Sequence, residues 1–81
     1  MTTDTLACSS LIEGFISGRE TTLATANRIE VLLDQAFPDD EFIQGVVVAL
    51  ARYRPGGHDY TLNETTIRTL LLRTQRYLAS L

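Results

Sequence analysis

The chain has no lysine and no tryptophan, one cysteine, one histidine and two prolines, and each scarcity closes off a class of function. Cys8 alone cannot form an internal disulfide, and nothing around it has the Cys/His spacing of a structural zinc site. A reducing cytoplasm is therefore the expected compartment, and no metal or other cofactor is expected. No stretch reaches the roughly 18 to 20 apolar residues of a membrane span. GVVVALA, from Gly45 to Ala51, is short and follows an acidic cluster rather than a basic one, so the reading is a soluble, mature protein without membrane contact. His58 lies half a chain from Cys8 with no obvious orienting partner, which disfavours a Cys–His nucleophile. All seven basic residues are arginine; the missing lysine carries no mechanism, because a solvated surface has no physical need to exclude it.

What is present is a small hydrophobic domain. At 81 residues with 44% apolar composition, the chain is too hydrophobic for a disordered segment and long enough for one core, residues 1–81 forming a single domain. A chain of this length buries about 60 to 65% of its unfolded surface, which leaves little room for a deep pocket. The net charge of −3 argues against direct nucleic-acid binding, which draws its affinity from phosphate neutralisation by cations. Its distribution says more: residues 1–51 carry eight acids and two arginines, net −6, and residues 52–81 carry five arginines and two acids, net +3.

Four amphipathic segments follow one another. LIEGFISG places Leu11, Ile12, Phe15 and Ile16 at helical spacing, with Ser9 or Ser10 as cap and Gly18 as terminator, while MTTDT before it reads as frayed. Gly14 inside this helix is unfavourable, and a close approach by another helix would account for it. Thr21 or Thr22 caps a second helix with the stripe Leu23, Ala26, Ile29, Leu32, Leu33, Ala36 and Phe37, and Pro38 stops it. The carboxylates Asp39, Asp40 and Glu41 start a third helix, whose core face is Ile43, Val46, Val47, Leu50 and Tyr53. Its valine triplet has no second strand to pair with, so a strand would leave its amides unsatisfied. After Pro-Gly-Gly, Thr61 or Asn63 caps a fourth helix burying Ile67, Leu70, Leu71, Thr74, Leu78 and Leu81, with Leu72 off the stripe. Four such helices joined by short connections predict an all-α, antiparallel four-helix bundle.

ARYRPGGHDYTLNE, residues 51–64, gathers the chemistry. His58 beside Asp59, flanked by Arg52 and Arg54, has the parts of a histidine-dependent ribonuclease, but there is no second histidine and no glycine-rich phosphate loop. A solvated loop histidine is the simpler reading. Asp39, Asp40 and Glu41 are adjacent and point in different directions, so they suit a helix start better than a metal, with a partner-facing role beside it. Arg52, Arg54, Arg68, Arg73 and Arg76 make a solvated face by default. Their neighbours Tyr53, Tyr60 and Tyr77 raise protein recognition as the alternative, since Tyr and Arg dominate interface hot spots.

Two blocks carry a family likeness. In LIEGFISGRETTLATANRI the matching positions are Ile12, Phe15, Gly18, Thr21 and Ile29; in ALARYRPGGHDYTLNETTIRTLL they are Tyr53, Pro55, Tyr60, Leu62, Glu64, Ile67 and Leu71. In their order and spacing these blocks resemble the immunity proteins of the colicin D type. The resemblance implies a four-helix, non-enzymatic inhibitor that binds the tRNA-cleaving nuclease domain of a cognate toxin and occludes it with carboxylates that imitate the RNA backbone. The family's acids cluster around the aromatic-x-Pro segment, which is arginine-rich here; the negative surface would instead comprise Asp39, Asp40, Glu41, Asp59 and Glu64. The expected partner-binding residues are these five with Arg52, Tyr53, Arg54, His58 and Tyr60. The expected partner is a protein, bound by a monomer or weak homodimer. A self-associating structural or regulatory bundle, motivated by Val48 and Leu72, stands as the alternative.

Overall fold

The computed structural model describes residues 3–55 and 62–80, with side chains from Ala7 onward. Four helices account for most of it: α1 Thr3–Ile16, α2 Leu23–Ala36, α3 Glu41–Ala51 and α4 Glu64–Ala79. The chain is an all-α four-helix bundle. Packing joins α1 to α2 and α4, and α3 to the same two, which closes the helices into a ring. Among the described residues there is no strand, and the valine triplet lies within α3.

Capping residues start three of the helices. Thr22 Oγ1 accepts from the Thr25 amide at 3.2 Å, Asp40 Oδ1 from Ile43 at 3.0 Å and Asn63 Oδ1 from Thr66 at 2.9 Å. Each satisfies an amide that the helix itself cannot, a contribution of about 1 kcal/mol apiece. At the other end, α1 closes through Gly18 at φ 84°, where the Arg19 amide donates to Gly14 O at 3.1 Å and the Gly18 amide to Phe15 O at 3.1 Å. That left-handed residue and paired bonding form a Schellman cap, which favours glycine at this position.

The first helix differs from expectation at its start, running from Thr3 through Ser9 and Ser10 rather than being capped by them. Cys8, Ile12 and Phe15 are all buried and fall at i, i+4 and i+7, so the apolar stripe extends one turn further back than the serines indicate. The close helix approach expected at Gly14 is absent, and nothing in its surroundings requires glycine. A Cβ there would meet only Glu20 Cβ at 3.6 Å and Cγ at 3.8 Å, so no helix approaches closely. Its carbonyl instead gathers the returning chain, accepting from the amides of Arg19 and Glu20 at 3.1 Å each and from Ser17 Oγ at 3.0 Å.

The core comprises Cys8, Ile12, Phe15, Ala26, Ile29, Leu33, Ile43, Val46, Leu50, Tyr53, Ile67 and Leu71. Ala36, expected on the buried stripe, is exposed at the last turn of α2, and Val47 is half-buried. Buried Thr74 spends its hydroxyl on Leu70 O at 2.9 Å. Among the described residues no buried side-chain nitrogen or oxygen lacks a hydrogen-bond partner, as expected of a native core. No described helix is long and apolar enough to cross a membrane.

Candidate partner-binding surface

The candidate residues divide between two structural knots and one open face. Tyr53 makes the first knot. Its ring is fully buried, edge-on to Phe15 with centroids 5.3 Å apart, and its hydroxyl donates to Thr21 O at 2.6 Å. The residue just beyond α3 thus ties down the connection between α1 and α2. An isolated parallel bridge pairs it with Leu62: the Arg54 amide donates to Leu62 O at 3.1 Å, and the Leu62 amide to Arg52 O at 3.0 Å. Burial, reinforced by the charge of Glu64, raises the Tyr53 pKa, which keeps the hydroxyl a donor. Tyr53 belongs to the core, and its surface is taken up within the chain.

The other residues near this knot are partly engaged. Arg54 Nη1 donates to Tyr53 O at 2.6 Å and to Ala51 O at 3.3 Å, meeting carbonyls at the end of α3 where a cation is favoured. Arg52 is exposed. Glu64 pairs with Arg68 at 3.7 Å, one turn along α4. Arg68 also forks onto Ile16 O, with Nη2 at 2.8 Å and Nε at 3.1 Å, and so caps α1 from α4. His58, Asp59 and Tyr60 lie outside the described residues.

Asp40 makes the second knot. Its Oδ1 caps α3 while Oδ2 accepts a short hydrogen bond from the Tyr77 hydroxyl. Tyr77 also packs against Phe42, ring centroids 4.6 Å apart. The Tyr77 hydroxyl, followed by the Ile43 amide, holds the Asp40 carboxyl below its ordinary pKa, and the same bond raises that of Tyr77. Gln44 Nε2 completes the junction by donating to Asp34 Oδ1 and to Phe37 O, both at 3.1 Å. Both Asp40 oxygens are therefore committed inside the fold, whereas Asp39 and Glu41 on either side are exposed. Among the described residues no three His, Cys, Asp or Glu side chains converge on a possible metal position.

The open face is the outside of the α2–α3 hairpin. From Ile29 to Ala51 the sequence has five carboxylates and no basic residue, and Asp34, Asp39 and Glu41 are all exposed. Two valines break its polarity, Val31 exposed by 49% and Val48 by 61%. Beside Val48, Gly45 sits in mid-helix at a cost of about 1 kcal/mol relative to alanine, although a Cβ there would meet nothing within 4 Å. A shallow groove on α2 is lined by Asn27, Arg28, Val31 and Leu32, and another by Ile16, Thr65, Arg68, Thr69 and Leu72. Leu72 is 37% exposed, off the stripe as its spacing indicates.

The sequence places a carboxylate cap among Asp39, Asp40 and Glu41 without choosing between them; the structure selects Asp40 and gives it a second partner, Tyr77, that sequence reasoning missed. Tyr77 follows Leu70 and Thr74 at i+7 and i+3, a position at the margin of the buried stripe, and that periodicity was the available signal. The Thr21 carbonyl and the Gln44–Asp34 pair have no comparable signature, because each depends on how connections fold over neighbouring helices. No protein-family model, curated protein or solved structure matches this chain.

Proposed function

We propose that this protein is a non-enzymatic, immunity-type inhibitor that binds the cationic nuclease domain of a bacterial toxin and covers its RNA-binding cleft. The observation that carries the reading is the run of five carboxylates from Glu30 to Glu41, across the end of α2 and the start of α3, with Asp34, Asp39 and Glu41 exposed and no basic residue between Ile29 and Ala51. A nuclease cleft is built to hold phosphates, so carboxylates on a rigid helical frame compete for the same cations. The caps at Thr22 and Asp40 and the Gln44 bridge fix that frame before binding, which lowers the entropic cost of association. The resemblance of the two sequence blocks to colicin D type immunity proteins supports the same reading. The inhibitor would act in the cytoplasm, where Cys8 stays a buried thiol.

Coexpression with toxins encoded beside its gene tests the proposal. Protection of the host, together with a complex whose association slows as salt rises, is the expected result. Absence of both protection and complex with every neighbouring toxin would remove it. A second reading, a self-associating bundle, is favoured by the exposure of Val31 and Val48. Sedimentation separates the two, because a monomer independent of concentration eliminates self-association.

A further inference from the structure

The outer face of α2 is complementary to itself. Ala24, Asn27, Val31 and Gln35 follow one another at helical spacing, all exposed and all uncharged, and Val31 at their centre is 49% exposed. A shallow groove lined by Asn27, Arg28, Val31 and Leu32 runs beside it. Three residues fall about 60° short of a full helical turn, and four reach about 40° beyond one. Arg28 and Gln35 therefore lie on one side of Val31, and Asn27 and Asp34 on the other. Among the described residues the side chains of Asn27, Arg28 and Gln35 have no hydrogen-bonding or ion-pair partner, and Asp34 gives only Oδ1, to Gln44 at 3.1 Å.

We propose that this face, centred on Val31, is the docking surface for a second copy of the chain, paired antiparallel about a two-fold axis beside Val31. Such an axis keeps each side of the helix with the same side of its copy and inverts height. Arg28 of one copy then meets Gln35 of the other, and Asp34 meets Asn27, each pair within about 1.5 Å of the same height. The guanidinium donates to the amide oxygen and the amide nitrogen to the carboxylate, charge-assisted bonds that the symmetry repeats around the central valines. The occupant is a copy rather than another protein because donors and acceptors on this one helix satisfy each other at mirrored spacing. Glu30 is half-buried on the Asp34 side, and α3, tied to that side by Gln44, adds exposed Glu41 and Arg52. Bringing Glu30 and Asp34 of both copies to one edge, in chains of net charge −3, opposes pairing until salt screens it. One helix pair covers less than the roughly 1,200 Å² of a standard interface, so the dimer is weak and forms in concentrated solution. The inference rests on the self-associating reading and does not depend on the inhibitor.

The test follows the full chain by sedimentation and by nitrogen-15 amide shifts from dilute to concentrated solution, at low and high salt. Average mass should climb towards that of a dimer, more steeply at high salt, with the shifts concentrated between Ala24 and Gln35. Val31→Lys, at a site already half open to solvent, should leave helical circular dichroism unchanged and weaken association at least about tenfold, because it sets two ammonium groups against each other. Under mild oxidation Val31→Cys should cross-link to itself, and Arg28→Cys should cross-link to Gln35→Cys faster than either does to itself. Cys8 is buried and stays out of the reaction. A dimer unaffected by Val31→Lys, or one in which Val48→Cys cross-links and Val31→Cys does not, overturns this surface and leaves self-association standing. A monomer at every concentration and salt overturns both.

Discussion

Replacing Tyr53 with phenylalanine removes one oxygen and leaves the ring, so it isolates the tie between the two connections. The ring keeps its edge-on contact with Phe15 at 5.3 Å, while Thr21 O loses the donor that sits 2.6 Å away. Thr21 is half-buried, so water can satisfy its carbonyl only in part. A lost hydrogen bond with a partly desolvated acceptor left behind costs about 1 to 2 kcal/mol. For a domain of this size that corresponds to a fall in Tm of about 4 to 16 °C. In urea, with a slope of about 1 kcal/mol per molar, the midpoint should drop by about 1 to 2 M at unchanged slope. Tyr53→Ala, which also empties a fully buried site, should cost about 3 to 5 kcal/mol by the usual toll of large-to-small aromatic truncation. Equilibrium denaturation followed by helical circular dichroism measures all three proteins. If Tyr53→Phe proves as stable as wild type, the hydroxyl does not hold the connections together, and the central role given to Tyr53 reduces to packing.

Three further outcomes follow from the geometry. Gly14→Ala should stabilise the fold by up to about 1 kcal/mol, because the new Cβ meets Glu20 only at an ordinary 3.6 Å; a lower denaturation midpoint contradicts this. Asp40 is held below its ordinary pKa of 3.8 by Tyr77 and the Ile43 amide, so its contribution is complete above that value and is lost as pH falls through the depressed one. Asp40→Asn should therefore flatten the acid limb of the stability profile below pH 3.8, and an unaltered acid limb would show that the knot does not act. Burial pushes the Cys8 thiol up to about 11, so a disulfide reagent at neutral pH should label it only through opening of the fold, at a rate that climbs with urea. Rapid labelling in native buffer would place the thiol outside the core.

The helices could be read from the sequence where two signals agreed. The second helix combines a threonine cap, an apolar stripe and a terminal proline, and its observed span from Leu23 to Ala36 follows from all three. Gly18 likewise ended α1 for the reason its φ of 84° displays. The start of α1 was obscured because Ser9 and Ser10 resemble a cap, and only the burial of Cys8 alongside Ile12 shows the stripe continuing past them. Tertiary packing overrode a local preference there. The candidate surface was less accessible still. Tyr53 and Asp40 carry polar atoms that satisfy either a partner or the fold, and composition cannot choose between Thr21 O, Tyr77 and a partner protein.

The inhibitor reading depends on capture of a cationic protein by the acidic hairpin. The most direct measurement is the association rate of the purified chain with the nuclease domain of a toxin encoded beside its gene, taken over a range of salt concentrations. Rapid binding that slows steeply as salt rises, and that Asp34→Asn together with Glu41→Gln both slow and make less sensitive to salt, is the result the account predicts. No binding, or a rate indifferent to salt and to those substitutions, would contradict it.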